Sequence, residues 1–193
     1  MNKIASYVCY GLATVVMGSA LVYYNFVDKK RPGVEVWDNS PDFTVATMAA
    51  ENDTFKMTGN TYNLYENEGK VRVVNFWATW CAACKHELPD FDKFAKAYPE
   101  VDVIAICGQS GLDKDVIAWM NDPVQDAQKN AWADYSLTFG FYGPDQDVYV
   151  DMGGQGMWPT TVVVDEDGVI RYTSGNTLDM KGLEEIVLPL LND

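Results

Sequence analysis

The stretch "VVNFWATWCAACKHELP", residues 73–89, decides how this chain is read. Its first part belongs to "KVRVVNFWA" (70–78), where β-branched and aromatic residues dominate, and the run is apolar enough for a strand buried on both faces. Cys81 and Cys84 follow immediately, and beyond them Leu88, Phe91, Phe94, Ala95 and Tyr98 recur at helical spacing until Pro99. "VDVIAICG" (101–108) is a second buried strand. Strand, helix, strand in this order is a βαβ unit with a right-handed parallel crossover. The cysteine pair sits where its first strand meets its helix.

That position narrows the chemistry of the pair. A structural zinc site needs four ligands, and the remaining candidates are Cys107 and the single histidine, His86, which faces away from Cys84 on a helix. Haem attachment needs histidine directly after the second cysteine, where this chain has Lys85. A purely structural disulfide would close a loop of only four residues and remove little chain entropy. A redox centre fits better, because Cys81 falls at a helix amino terminus, where free N–H groups and the helix dipole stabilise a thiolate. Spacing assigns Cys81 as the nucleophile that forms a mixed disulfide and Cys84, one turn in, as the thiol that resolves it. A C-x-x-C motif beside a βαβ pattern points to the thioredoxin fold.

Outward from this centre, "FTVAT" (43–47) and "TFKMTG" (54–59) read as short added strands, and "DKDVIAWMND" (113–122) as a helix. A helix is also expected around 124–133, within a turn-rich stretch from Pro123 to Gly156. "TTVVVDEDGVIRYTS" (160–174) is a hairpin turning at Asp167-Gly168, and "LDMKGLEEIVLPLL" (178–191) is an amphipathic helix whose last turn Pro189 bends or ends. Cys107, at the end of a buried strand, is read as inert, with a regulatory thiol as the outside alternative.

The front of the chain differs in kind. From Ile4 to Val27 no side chain is charged, and as a helix the run would span roughly 36 Å, enough for a hydrocarbon core of about 30 Å. Tyr23 and Tyr24 fall near one end, as in an interfacial belt. Residues 1–27 are therefore expected to be a membrane anchor, with 28–40 as a tether and a domain over 41–193. A cleaved signal peptide ending near "GSA" (18–20) is the competing reading, but the apolar run continues past that point. Cys9 lies within the run as a small apolar residue. Lys29, Lys30 and Arg31 outnumber Lys3, so the positive-inside count by itself leans toward a cytoplasmic carboxyl domain. The net charge of -14 lacks the basic footprint of a nucleic-acid binder, and no nucleic-acid partner is expected.

With these residues in place, the chain resembles the membrane-anchored thioredoxin-like proteins of the TlpA and ResA type. The match is carried by the anchor, "PDF" (41–43), "VVNFWATWCAACKHELP" (73–89) and "WPTTVVVDEDGVI" (158–170). It covers most of residues 41–191 and weakens near 121–150, where an insertion is expected. The resemblance implies an α/β thioredoxin fold with added N-terminal strands, preceded by one transmembrane helix. It also implies an active site on the extracytoplasmic side, against the positive-inside count. A membrane tether has little purpose for a dithiol on the cytoplasmic face, so the family's orientation is preferred.

By the same match Pro159 corresponds to the family's cis-proline, and Trp158 before it would line the substrate groove and pair with an extended substrate segment. Trp158 is bulkier than the family's usual choice there. Glu87, three residues after Cys84, stands where ResA-type proteins carry a functional glutamate, and a partly buried carboxyl there could accept the Cys84 proton. Trp80, immediately before Cys81, would shape the rim of the site. The implied activity is reduction of disulfides in exported proteins, apocytochrome c among the candidate substrates, with electrons from a transmembrane donor. No cofactor beyond a redox-active Cys81–Cys84 disulfide is expected. Two rival readings are a thiol peroxidase on the same fold, for which Thr79 is misplaced and no arginine lies near in sequence, and a binding or chaperone module with a vestigial pair.

Overall fold

The computed structural model describes residues 36–67, 69–122 and 134–191. The expected anchor at 1–27 and the expected helix at 124–133 lie outside these residues. Among the described residues no helix is long and apolar enough to cross a membrane.

The chain forms β1 (Thr44–Glu51), β2 (Thr54–Asn63), β3 (Arg72–Trp77), α1 (Ala82–Ala97), β4 (Asp102–Cys107) and α2 (Asp113–Met120). It continues through β5 (Thr138–Phe141), the short α3 (Val148–Asp151), β6 (Thr160–Val164), β7 (Ile170–Ser174) and α4 (Met180–Val187). One seven-stranded sheet has the order β2-β1-β5-β4-β3-β6-β7. β3, β4 and β5 run parallel, whereas β1 meets β5, and β6 meets β3, antiparallel.

β3 lies inside the sheet between β4 and β6, and all six of its residues are buried. Alternation of side chains divides them between two cores. Val73 and Trp77 pack with Leu88, Phe91 and Phe94 of α1 and Leu183 and Val187 of α4. Val74 and Phe76 pack on the other face with Ile104, Ile106, Val162, Val164 and Tyr149. The apolar run that marked this strand in the sequence is thus the signature of two-sided burial.

Several boundaries differ from the sequence reading. The first two strands extend to Glu51 and Asn63, because each is held by pairing along its whole length to the other. The turn between them places Asn52 and Asp53 at φ 49° and 60°, a region that asparagine and aspartate tolerate. β5 was not anticipated: "TFGF" is too short to show a period, and its pairing with β1 and β4 makes it a strand. Gly140 suits the crowding there, since a Cβ would come within 3.1 Å of Ile104 and Val45. Residues 37–40, expected in the tether, pair with the end hairpin: Trp37 N–H donates to Ile170 O and Ser40 N–H to Gly168 O, at 2.7 and 2.8 Å. The hairpin turns at Gly168 (φ 85°), and α4 gives way to a 3-10 turn, Leu188–Leu191, that contains Pro189.

A buried cation ties the start of β3 to two distant loops. Arg72 is fully buried, and its guanidinium donates to the carbonyls of Leu64, at 3.1 Å, and Asp165. Substituting Arg72→Met should keep the apolar volume but orphan both carbonyls. We expect a loss of about 3 kcal/mol in a denaturant titration, with an unchanged slope.

Candidate active site

Cys81 is the N-cap of α1, and its Sγ accepts a hydrogen bond from the Cys84 backbone N–H at 3.1 Å. The two cysteines form a disulfide with a Cα–Cα distance of 5.4 Å. Cys81 keeps 5% of its surface exposed and Cys84 none, so an incoming sulfur can reach the first and not the second. The free N–H groups of the first helical turn supply partial positive charge to a thiolate at Cys81.

Glu87, only 3% exposed, follows Cys84 by three residues on the same helix. Asn75, in the middle of β3, donates from Nδ2 to Glu87 Oε1 at 2.7 Å and to Thr161 Oγ1 of β6 at 3.2 Å. The backbone N–H of Leu178 donates to Oε2 at 2.9 Å. Burial pushes the Glu87 carboxyl up to about 7, and the Leu178 and Asn75 donors restrain that rise. The group is therefore able to exchange a proton near neutral pH.

An aromatic wall rises beside the disulfide. Trp80 is 58% exposed, and its Nε1–H donates to Gln109 O at 2.9 Å. Its ring meets Trp158 edge-on at 5.6 Å, and Trp158 stacks on Tyr149 at 4.6 Å. Tyr149 Oη–H and Thr160 Oγ1–H both donate to Met157 O, at 2.8 and 2.7 Å, fixing the backbone just before the cis Trp158–Pro159 bond. The bulk of Trp158 thus has a built support in α3.

Cys107, at the end of β4, is buried and free. Burial pushes its thiol up to about 12, against the opposing influence of the Ser110 hydroxyl and the Thr79 backbone, so it is neutral at physiological pH. Ser110 Oγ accepts from Thr79 N–H at 3.0 Å and donates to Gly108 O at 2.9 Å, bracing the loop ahead of Cys81. Gly108 admits the Tyr142 ring, which would lie 2.2 Å from an added Cβ.

The structure therefore places Trp80, Cys81 and Cys84 just past the carboxyl end of β3, Trp158 and Pro159 at the adjoining start of β6, and Glu87 against the middle of β3. Sequence reasoning missed four supporting groups. Asn75 left a signal, a polar residue in the middle of the apolar run from Val73 to Trp77. Tyr149, Gln109 and the Leu178 amide left none, since two act through backbone atoms and the third through a four-residue helix.

The raised Glu87 affinity has a thermodynamic consequence. Between pH 4.5, the ordinary carboxyl value, and about 7 the folded state binds a proton that the unfolded state has lost, so stability falls as pH rises through that window. Above it the loss is constant, at about 3 kcal/mol. Oxidised Glu87→Gln should lack this slope when its denaturation midpoint is followed from pH 5 to 8.

The model of the Redoxin family matches residues 35–185. Among curated proteins, the thioredoxin-like protein YneN of Bacillus subtilis is 28% identical over 163 residues, covering 84% of each chain. The thiol-disulfide oxidoreductase ResA of Geobacillus thermodenitrificans is 25% identical, over 85% of this chain and 82% of its own. The thiol:disulfide interchange protein DsbE of Allochromatium vinosum is 25% identical, over 99% and 96%. In fold the chain is similar to a secreted thiol-disulfide isomerase from Corynebacterium glutamicum, with a TM-score of 0.61 and 20% identity over 82% of this chain and 92% of that one. It is also similar to a DsbF homologue from Corynebacterium diphtheriae, with a TM-score of 0.56 and 21% identity over 81% and 92%. The chain has a thioredoxin-like α/β fold and belongs to the Redoxin family, as an oxidoreductase of the ResA-like kind.

Proposed function

We propose that this protein reduces disulfides of exported proteins from the extracytoplasmic side of a membrane, to which residues 1–27 anchor it. The observation that carries the reading is the Cys81–Cys84 disulfide at the amino terminus of α1, with the buried Glu87 carboxyl one turn further on. The disulfide is itself the redox group, and no other cofactor enters the reaction.

Starting from the dithiol, the Cys81 thiolate attacks one sulfur of a substrate disulfide. The substrate S–S bond breaks, a Cys81–substrate bond forms, and one substrate thiolate leaves. Cys84 then gives its proton to the Glu87 carboxylate, and the new thiolate attacks Cys81 Sγ. The mixed disulfide breaks, the Cys81–Cys84 bond forms, and the second substrate sulfur departs as thiolate. Two electrons have passed from the protein to its substrate. A membrane electron donor restores the dithiol. Trp80 and Trp158 wall the approach, and the backbone at Trp158 pairs with an extended substrate segment.

The direction of electron flow, the tether and the extracytoplasmic address are supported by similarity to ResA and DsbE and by the uncharged run from Ile4 to Val27. Apocytochrome c is a candidate substrate on the same ground. A thiol-peroxidase reading finds no support from Arg72, whose guanidinium is committed to two carbonyls.

Two measurements test the reading. Purified protein supplied with a dithiol should reduce insulin disulfides; Cys81→Ser should abolish this, Cys84→Ser should accumulate a mixed disulfide, and Glu87→Gln should slow resolution by about a hundredfold. Failure of the parent protein to reduce insulin would overturn it in favour of a binding module. In intact cells carrying the Cys9→Ser, Cys107→Ser variant, a membrane-impermeant maleimide should label Cys81 without prior reduction. Labelling only after an external reductant would indicate an oxidant, and labelling only after lysis would reverse the topology.

A further inference from the structure

The hydrogen bonds around Glu87 fit only one of the two protonation states through which the proposed reaction takes it. Oε2 accepts from the Leu178 backbone N–H, a group that can donate and nothing else. Oε1 accepts from Asn75 Nδ2. Both contacts suit a carboxylate. When a proton arrives, Oε2 remains engaged as an acceptor, so the proton belongs on Oε1, where it meets the N–H of Asn75 donor against donor. Asn75 is fully buried, and its Oδ1 has no hydrogen-bond partner among the described residues.

A carboxamide has a particular way out. Its oxygen and nitrogen are nearly isosteric, and a half-turn about the Cβ–Cγ bond exchanges them without moving the backbone. After such a turn Oδ1 would accept from the new Glu87 O–H. The other neighbour of Nδ2, Thr161 Oγ1 at 3.2 Å, is a hydroxyl, and it can donate to Oδ1 as readily as it now accepts from Nδ2. The nitrogen would take the place where Oδ1 is unpartnered now, so the number of satisfied contacts is the same in both orientations.

We propose that Asn75 is a positioning residue whose carboxamide reverses each time Glu87 gains or loses its proton, with the Thr161 hydroxyl reversing its own hydrogen bond in step. The inference rests on the reading that Glu87 receives the Cys84 proton. A fixed donor at this place would favour only the carboxylate and a fixed acceptor only the acid. A reversible amide solvates both, which keeps a buried carboxyl able to take up a proton and to return it within one catalytic cycle. Among the described residues no charged side chain is an influence on Glu87, which is shifted by burial and by the two amides; Cys84, one helical turn before it, is the titratable group on the same face of α1.

The test is a pH titration of the full oxidised chain carrying 15N-asparagine, with the Asn75 side-chain signals identified by their loss in Asn75→Asp. Above the Glu87 midpoint an Asn75 amide proton should lie downfield, as expected for donation to a carboxylate, and should move upfield as Glu87 protonates, with the same midpoint. Glu87→Gln should show the low-pH pattern at every pH, because Leu178 N–H holds its carbonyl and turns its NH2 toward Asn75. In the reduced protein, Asn75→Leu should raise the pH midpoint of the resolving step by about one unit, a tenfold change in proton affinity, since the lost bond to the charged form is the stronger one. An Asn75 amide that stays downfield throughout the Glu87 titration would overturn the proposal, whether or not Asn75→Leu folds. Reversal of the amide together with wild-type exchange rates in Glu87→Gln would uphold the reversal and remove Glu87 from the proton transfer instead.

Discussion

The described fold depends on β3 being buried on both faces. A strand between β4 and β6 with all its residues covered must place its side chains alternately in two cores, and its two polar ones, Arg72 at the start and Asn75 in the middle, must be given partners there. The same burial fixes where the strand ends. Trp77 and Ala78 are packed, the chain turns, and Cys81 arrives as the N-cap of α1 with the helix axis behind it. The position of the reactive sulfur is thus a consequence of core packing.

The site combines two environments that the sheet keeps apart. On the outer side, the exposed Trp80 meets Trp158 edge-on, and Trp158 in turn stacks on the buried Tyr149. On the inside, the buried side chains of Glu87, Asn75 and Thr161 form a polar cluster with the Leu178 amide. Low dielectric raises the affinity of Glu87 for a proton, and the same enclosure makes each hydrogen bond to it matter more than it would on the surface. Cys107 lies near the floor of the site, but burial without a stabilising positive charge leaves its thiol neutral. Environment, and not residue type, separates the reactive cysteines from the inert one.

The elements legible in the sequence were those with a period or a punctuation mark. β3, β4 and β6 announced themselves as apolar runs, α1 by the spacing of Leu88, Phe91 and Phe94, and the β6–β7 turn by Gly168. β5 and α3 were illegible because four residues carry no period; only their neighbours in the sheet and the core make them regular. Residues 37–40 read as linker by composition, and it is the open edge beside Ile170 that recruits their backbone. A backbone donor such as Leu178 leaves no trace in residue identity at all.

By itself, then, the sequence determined the chemistry on offer: two cysteines a helical turn apart behind a buried strand, a glutamate on the same helix face, and a proline before a second strand. Those depend on covalent spacing and on local periodicity, which a linear reading preserves. The tertiary structure decided how that chemistry is tuned. It brought Asn75 and Leu178 from separate segments to one carboxyl, set Thr161 behind Asn75, and stacked Tyr149 on Trp158. Desolvation and hydrogen-bond geometry are properties of what surrounds a group in space, so they come into being only when distant parts of the chain meet.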